Sequence, residues 1–244
     1  MRKQSEREKT ELMENQLLPS PVGFLRGRFS ALLIALFLFF LLHTFLADHP
    51  LTHYFVPVLL LVTLVTSIFA FSDDRRISLV ASLLGLAALA LRWVLSVSDS
   101  HWLRLIGEGT GALFFAFIAV IILAAVLRAQ TVTGDTISGA LCVYLLIGLV
   151  WAFFFLLVES IHPGSFQLGG GTTIAADTPH PPPAYLSLFL YFSFTTLSTV
   201  AYGDILPLSA PARGLAALEG IVGQFYLAVL VAHFVGLYIV YRQR

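Results

Sequence analysis

Long apolar segments constrain this chain more than any other feature of its sequence. The clearest is 105–127, which holds one charged side chain, Glu108, and no Lys or Arg. A helix needs about 20 apolar residues to cross the hydrocarbon core of a bilayer. Segments near or above that length are 29–47, 55–71, 77–95, 105–127, 137–158 and 213–241. The sequence therefore predicts an all-α membrane protein with six transmembrane helices.

The composition agrees with this class and argues against others. Of the 244 residues, 58% are hydrophobic and only 11% are charged, whereas a soluble domain carries roughly 25% charged residues. The single cysteine, Cys142, excludes an internal disulfide and a cysteine-based metal site. No catalytic Ser-His-Asp order, phosphate-binding loop or His-rich metal motif stands out. We expect no enzyme activity, no cofactor, no nucleic-acid partner and no soluble substrate.

The distribution of positive charge predicts the orientation in the membrane. With the N-terminus inside, eleven Lys and Arg residues lie on the cytoplasmic side and three, Arg92, Arg104 and Arg213, on the outer side. Lys and Arg concentrate on the cytoplasmic side of membrane proteins. Both termini are therefore expected in the cytoplasm, where residues 1–28 form a polar leader.

The four segments within 29–128 do not look like a voltage sensor. Such a sensor needs several positive charges in one span, because each charge couples only about 2.3 kcal/mol per 100 mV. The fourth segment has no Lys or Arg between Arg104 and Arg128. We expect a four-helix collar around the rest of the protein, without steep voltage dependence.

The stretch between the last two predicted spans is not a simple loop. Residues 159–184 are rich in Gly and Pro and predict an extracellular loop. Residues 185–197 are apolar, but a helix of this length reaches only about 20 Å. This is too short to span and indicates a re-entrant helix. The chain must then return to the outer side through 198–204.

Irregular backbone at membrane depth survives only when it is buried in protein or lines a watery cavity. The composition of 198–204, STVAYGD, favours the cavity. Consecutive carbonyls and a threonine hydroxyl replace the hydration shell of a monovalent cation. An acid at the outer end, Asp204, raises the local cation concentration. One chain supplies only one wall, so several copies must surround a shared axis.

The sequence TVAYGD at 199–204 resembles the TVGYGD selectivity filter of the potassium-channel pore (P-loop) superfamily. The preceding TTLS resembles the end of that family's pore helix. Pro207 also falls where that family often has one, and Gly223 matches its inner-helix glycine, often proposed as a gating hinge. The chain looks like bacterial channels with a two-helix pore and four extra N-terminal helices.

The resemblance implies a homotetrameric pore domain over 137–244 in a bacterial inner membrane, surrounded by lipid. Its parts would be an outer helix at 137–158, a loop at 159–184, a pore helix at 185–197, a filter at 198–204 and an inner helix at 213–241. Potassium would bind the backbone carbonyls and one side-chain hydroxyl of four residues. These are Thr199, with its hydroxyl at the innermost level, Val200, Ala201 and Tyr202.

The flanking filter residues also have implied roles. Gly203 would turn the backbone outward, and Tyr202 would pack against an aromatic residue of the pore helix, Tyr191 or Phe192. We therefore predict passive K⁺ permeation through a selective channel.

Ala201 departs from the family pattern, which has a glycine there. That position typically needs positive φ, which costs an L-residue roughly 1–2 kcal/mol. The filter could keep its usual shape under strain, rotate one peptide and lose an ion site, or fail to conduct. A weakly selective monovalent cation channel and a non-conducting, pore-like scaffold are the alternatives.

Three residues of the last span are candidates for gating or for lining the pore: Gly223, Glu219 and His233. Ionisable residues within a membrane are functional hypotheses by default. Glu219 could be bonded to the back of the filter or attract cations in a vestibule. His233 could face the axis, where protonation near pH 6.5 would oppose cations, or pack between helices.

Overall fold

A computed structural model describes residues 29–45, 57–59, 61–63, 65, 75–95, 101–171, 173–174 and 184–242. It contains six helices: α1 Ser30–Phe45, α2 Arg75–Leu95, α3 His101–Arg128, α4 Gly134–Ile161, α5 Ala184–Leu197 and α6 Ala210–Arg242. Residues 57–59, 61–63 and 65 are also helical. Two short strands, β1 Phe166–Leu168 and β2 Ile205–Pro207, pair antiparallel. The leader 1–28 and most of the second predicted span, 55–71, lie outside the described residues.

Three of these helices have the length that a transmembrane helix requires. Within the described residues, three helices are long and apolar enough to cross a membrane: His101–Arg128, Gly134–Ile161 and Ala210–Ile239. Shorter apolar stretches occupy Ser30–Leu42, Ser78–Leu91 and Tyr185–Leu197. The prediction of an all-α membrane protein is confirmed. The strand pair is an addition that the sequence did not predict.

The central helix α4 begins at a well-formed cap. The Thr133 side chain accepts a hydrogen bond from the backbone N–H of Thr136 at 3.2 Å, which satisfies one of the first unpaired N–H groups of the helix. Asp135 lies in the first turn, where its negative charge interacts favourably with the helix dipole. Its Oδ1 also accepts the backbone N–H of Phe29 at 2.9 Å, which fixes the start of α1 against α4.

The core lies along α4, which contacts α1, α3, α5 and α6. Its interface with α3 contains large buried side chains; the ring of Phe115 lies 5.9 Å from that of Phe153. Helix α2 packs on α3. Helix α1 also reaches α5, because the ring of Phe40 meets that of Phe194 edge-on at 5.0 Å. At least one leading helix therefore touches the short helix before the filter.

Helix α5 crosses α4 at Gly148. A Cβ on Gly148 would lie 2.6 Å from Cε1 of Phe194. The Ser193 hydroxyl donates to the carbonyl of Gly148 at 2.7 Å. This close approach requires a residue without a side chain, so Gly148 sets the depth at which α5 sits against α4.

We expect Gly148→Ala to lower the thermal stability of the protein in detergent. The added methyl overlaps the ring of Phe194, and overpacking of this kind costs roughly 1–3 kcal/mol. Gly109→Ala is the matched control, because a Cβ there meets nothing within 4 Å. That change should leave stability equal or raise it by up to about 1 kcal/mol, since alanine favours helix. Equal melting temperatures for both variants would contradict the crossing described here.

Candidate functional site

A cluster of phenylalanines fixes α5 between α4 and the outer loop. The ring of Phe166 in β1 lies 5.0 Å from Phe189 and 5.4 Å from Phe192, and Phe155 of α4 lies 4.9 Å from Phe192. All of these contacts are edge-on, the geometry that aromatic pairs prefer. Phe192, one of the two partners that the sequence suggested for Tyr202, is therefore packed in the core against Phe155 and Phe166.

The strands β1 and β2 hold the outer end of the filter segment. Phe166 pairs with Pro207 and Leu168 with Ile205. The N–H of Gly169 donates to the carbonyl of Asp204 at 2.7 Å. The residues after 204 are therefore anchored to the loop that follows α4.

A buried carboxylate, that of Glu159 at the end of α4, stabilises the same loop. Its Oε1 accepts the N–H of Gly164 at 2.7 Å, and its Oε2 accepts the N–H of Phe166 at 3.1 Å. Both oxygens are thus acceptors of backbone hydrogen bonds. Glu159 shapes the turn that leads into β1.

The backbone of the filter segment alternates in conformation. Thr199, Ala201 and Gly203 have φ values of +60°, +43° and +78°. Within the described part of the chain, Thr199 and Ala201 are the two non-glycine residues with positive φ. The position of Ala201 thus keeps the positive φ that the resemblance implied, and Thr199 adds strain at a β-branched residue.

The N–H groups of Ser198, Thr199 and Ala201 donate to carbonyl groups of α5. Thr199 donates to the carbonyl of Thr196 at 3.0 Å, and Ala201 donates to the carbonyl of Thr195 at 3.1 Å. The last carbonyls of a helix have no donor within the helix. The N–H groups of Thr199 and Ala201 supply two of these missing donors.

Tyr191 holds the outer part of the segment from the side. Its hydroxyl donates to Oδ2 of Asp204 at 2.7 Å. Its ring is parallel to that of Tyr202, within 1°, at a centroid distance of 6.3 Å. Tyr202 stays 71% exposed in a single protomer. Residues 198–204 are all exposed, which leaves them open to a neighbouring copy or to an axis.

Gly223 is the point at which α6 touches the base of the filter segment. A Cβ there would lie 2.6 Å from the carbonyl oxygen of Leu197, the last residue of α5. Helix α6 is continuous through this position. The role that the structure gives Gly223 is close packing of α6 under the end of α5.

Glu219 lies one turn before Gly223 on the same face of α6 and is fully buried, with 0% exposure. Its Oε1 forms a short hydrogen bond with the hydroxyl of Ser193. The carboxyl group therefore lies behind α5 rather than on an exposed surface. Ser193 contacts both α4 and α6, a role that no local sequence pattern predicts.

His233 lies further along α6 and is partly buried. Its ring is 6.0 Å from that of Phe234. Its Nε2 has no hydrogen-bond partner within the part of the chain that the structure describes. The structure does not bring His233 together with the filter residues or with Glu219.

Sequence reasoning predicted the irregular segment 198–204 after a short helix but missed the contacts that support this segment. The role of Ser193 and the strand pair depend on contacts between residues far apart in sequence; Ser193 and Gly148 are 45 positions apart. Glu159 carried one usable signal, an acid at the end of an apolar helix just before a turn.

Comparison with known proteins adds one finding. A protein-family model described as an ion channel matches residues 170–239. This part of the chain is similar to an ion-channel pore. The matched range includes α5, the filter segment and most of α6, the elements that carry the geometry above. No curated protein and no solved structure matches the chain.

Replacing Ala201 by glycine should stabilise the pore region. The left-handed conformation costs alanine roughly 1–2 kcal/mol. Glycine avoids this cost, but it loses more conformational freedom on folding, and this loss offsets roughly 0.5–1 kcal/mol of the gain. The expected gain is about 0.5–1 kcal/mol per subunit, visible as a higher melting temperature in detergent. Ala217→Gly in α6 is the control and should lower stability, because its backbone is helical. A loss of stability in both variants would contradict a strained Ala201.

Gly223→Ala should disturb the pore, because the methyl group would displace the carbonyl of Leu197 under the filter. We expect loss of stability of roughly 1–3 kcal/mol and loss of ion flux. Gly220→Ala is the matched control one turn away, where a Cβ meets nothing within 4 Å of the same protomer. Thermal stability and liposome flux of the two variants should differ; unchanged behaviour in Gly223→Ala would refute the contact.

Proposed function

We propose that this protein is a potassium-selective channel in which four copies surround one axis and K⁺ permeates passively between backbone carbonyls of residues 199–202. Within the described residues, no group of three or more His, Cys, Asp or Glu side chains could hold a metal ion. The proposed permeation of K⁺ needs no such group. The ion ligands are main-chain oxygens and the Thr199 hydroxyl.

The observation that carries the proposal is the alternation of φ along the filter segment. In an ordinary strand successive peptide units face opposite sides. A positive φ at every second residue, Thr199, Ala201 and Gly203, turns successive carbonyls toward one side. The N–H groups of Thr199 and Ala201 are bonded to α5. This arrangement favours a row of oxygens free to replace the hydration shell of a cation.

The surface of α6 favours several copies around the axis. Only 11% of an apolar 18-residue stretch of this helix is buried within one protomer. Large apolar side chains are exposed along most of its length: Leu218, Ile221, Val222, Phe225, Val229, Val231, Val235 and Ile239. An inner helix that lines a pore and contacts two neighbouring copies would use these faces. These exposed faces favour a homotetramer in membrane lipid as the assembly.

Ala201 favours one second candidate, a channel of weaker selectivity. Its φ of +43° is smaller than the +78° of Gly203. A row that departs from the spacing suited to K⁺ would pass Na⁺ as well. The two candidates share the pore and differ only in the ratio of ion fluxes.

The distribution of Lys and Arg along the chain supports an inference about gating and about orientation in the membrane. Helix α3 carries no positive charge between Arg104 and Arg128, so we infer a channel without steep voltage dependence. The excess of Lys and Arg near the N-terminus favours both termini in the cytoplasm of the cell that makes the protein.

The deciding experiment is ion flux into liposomes, with Rb⁺ compared with Na⁺ and Ba²⁺ used as a blocker. A selective pore takes up Rb⁺ far faster than Na⁺ and is blocked by Ba²⁺. Equal Rb⁺ and Na⁺ uptake would establish the weakly selective candidate. No Ba²⁺-sensitive flux, with the purified protein assembled, would leave only a scaffold. The mass of the detergent-solubilised protein tests the tetramer separately.

An isosteric pair of variants assigns the flux to the filter. Thr199→Val removes the innermost hydroxyl and should lower Rb⁺ flux roughly tenfold, the effect of losing about 1.4 kcal/mol of ion coordination. Thr195→Val is the control, because the Thr195 hydroxyl donates to the carbonyl of Phe192 within α5 at 2.9 Å. Equal flux in the two variants would contradict the assigned ion path.

A further inference from the structure

The hydroxyl of Ser193 joins three helices behind the filter segment. It lies 2.7 Å from the carbonyl of Gly148 in α4 and within a short hydrogen bond of Oε1 of Glu219 in α6. Ser193 itself belongs to α5 and has 0% exposure. Three elements thus meet at one oxygen atom, six residues before Thr199.

The number of hydrogens at this junction is limited. A serine hydroxyl has one hydrogen to donate and two lone pairs to accept with. The carbonyl of Gly148 can only accept. If Ser193 donates to Gly148, its bond with Glu219 requires a hydrogen on the carboxyl group. A neutral Glu219 supplies that hydrogen, and each of the two contacts then has one donor and one acceptor.

The ionised alternative is poorly stabilised. An ionised Glu219 would have one hydrogen bond, from Ser193, while its Oε2 has no partner among the residues that the structure describes. Burying a charge without pairing it is very costly. The carboxyl group is already covered within one protomer, so a neighbouring copy does not reach it with a cation.

The surrounding groups supply no positive charge. The ionisable side chain of α4 that faces Glu219 is Tyr144. Its ring lies 5.9 Å from that of Tyr226 of α6, whose hydroxyl donates to the carbonyl of Ala140. From α5 the facing polar group is Ser193. Within the described residues no Lys, Arg or His contributes to the environment of Glu219.

We propose that Glu219 is a neutral hydrogen-bond donor and a positioning residue for the filter. It donates to Ser193, which donates to Gly148, and this chain of two bonds sets α5 between the outer and inner helices. Because α5 provides the carbonyls of Thr195 and Thr196 that hold the filter backbone, its position sets the position of the filter. The effect on ion selectivity rests on the proposed channel function; the protonation state does not.

Infrared difference spectroscopy tests the protonation state directly. The spectrum of the wild-type protein minus that of Glu219→Gln at neutral pH should contain the carbonyl stretching band of a protonated carboxylic acid. Ser193→Ala should shift that band to higher wavenumber, because the donated hydrogen bond is lost. A difference spectrum that shows a carboxylate band instead would overturn the proposal, whatever the protein conducts.

A pair of isosteric substitutions tests the donor role. Glu219→Gln keeps a donor toward Ser193 and should retain the thermal stability and the Rb⁺-to-Na⁺ flux ratio of the wild type. Glu159→Gln is the matched control: both oxygens of Glu159 accept backbone N–H groups, so an amide NH₂ replaces one acceptor and stability should fall. Equal loss of stability in both variants would show that Glu219 acts as an acceptor and refute its donor role.

The link to the filter is tested by Glu219→Leu, which keeps the bulk and removes the donor. We expect the Rb⁺-to-Na⁺ flux ratio to fall roughly tenfold, the change that corresponds to one lost hydrogen bond of about 1.4 kcal/mol. An unchanged ratio would overturn the positioning role. If this variant does not assemble, the flux ratio of Glu219→Gln against that of Ser193→Ala makes the same comparison: a lower ratio in Ser193→Ala alone supports the role, and equal ratios overturn it.

Discussion

Irregular backbone within a membrane must have its polar groups satisfied, and the rest of this structure depends on how 198–204 meets that requirement. The last carbonyls of α5 lack donors within the helix, and the N–H groups of Thr199 and Ala201 supply them. Two sets of unpaired groups therefore satisfy each other. The carbonyls of the filter segment are left over, and in the proposed pore the permeating cation would be their partner.

The position of α5 is set from three sides by contacts that leave little freedom. Gly148 admits the ring of Phe194 from α5 and accepts the Ser193 hydroxyl. Gly223 brings α6 under the carbonyl of Leu197. On the outer side, the phenylalanine cluster around Phe166 and the carboxylate of Glu159 fix the loop. A shift of α5 would disturb all three, so the filter segment inherits the rigidity of the surrounding helices.

This rigidity explains how the chain tolerates strain at Thr199 and Ala201. A positive φ costs an L-residue roughly 1–2 kcal/mol and persists only where neighbours fix it. Here the fixing contacts are the bonds to α5, the parallel rings of Tyr191 and Tyr202 and the bond from Tyr191 to Asp204. Helix α1 also contacts α5 through Phe40, so at least one of the leading helices packs directly against α5.

The sequence alone determined the membrane class, the helices α3, α4 and α6, the short helix α5 and the irregular segment 198–204 that follows it. These follow from local properties: the length of an apolar run, the shortness of 185–197 and one contiguous motif. The strand pair, the burial of Glu159 and the junction of Glu219 with Ser193 and Gly148 were decided only by the tertiary structure. At the junction, Ser193 is 26 positions from Glu219 and 45 positions from Gly148. No local pattern of hydrophobicity or spacing encodes which polar groups meet once the helices pack.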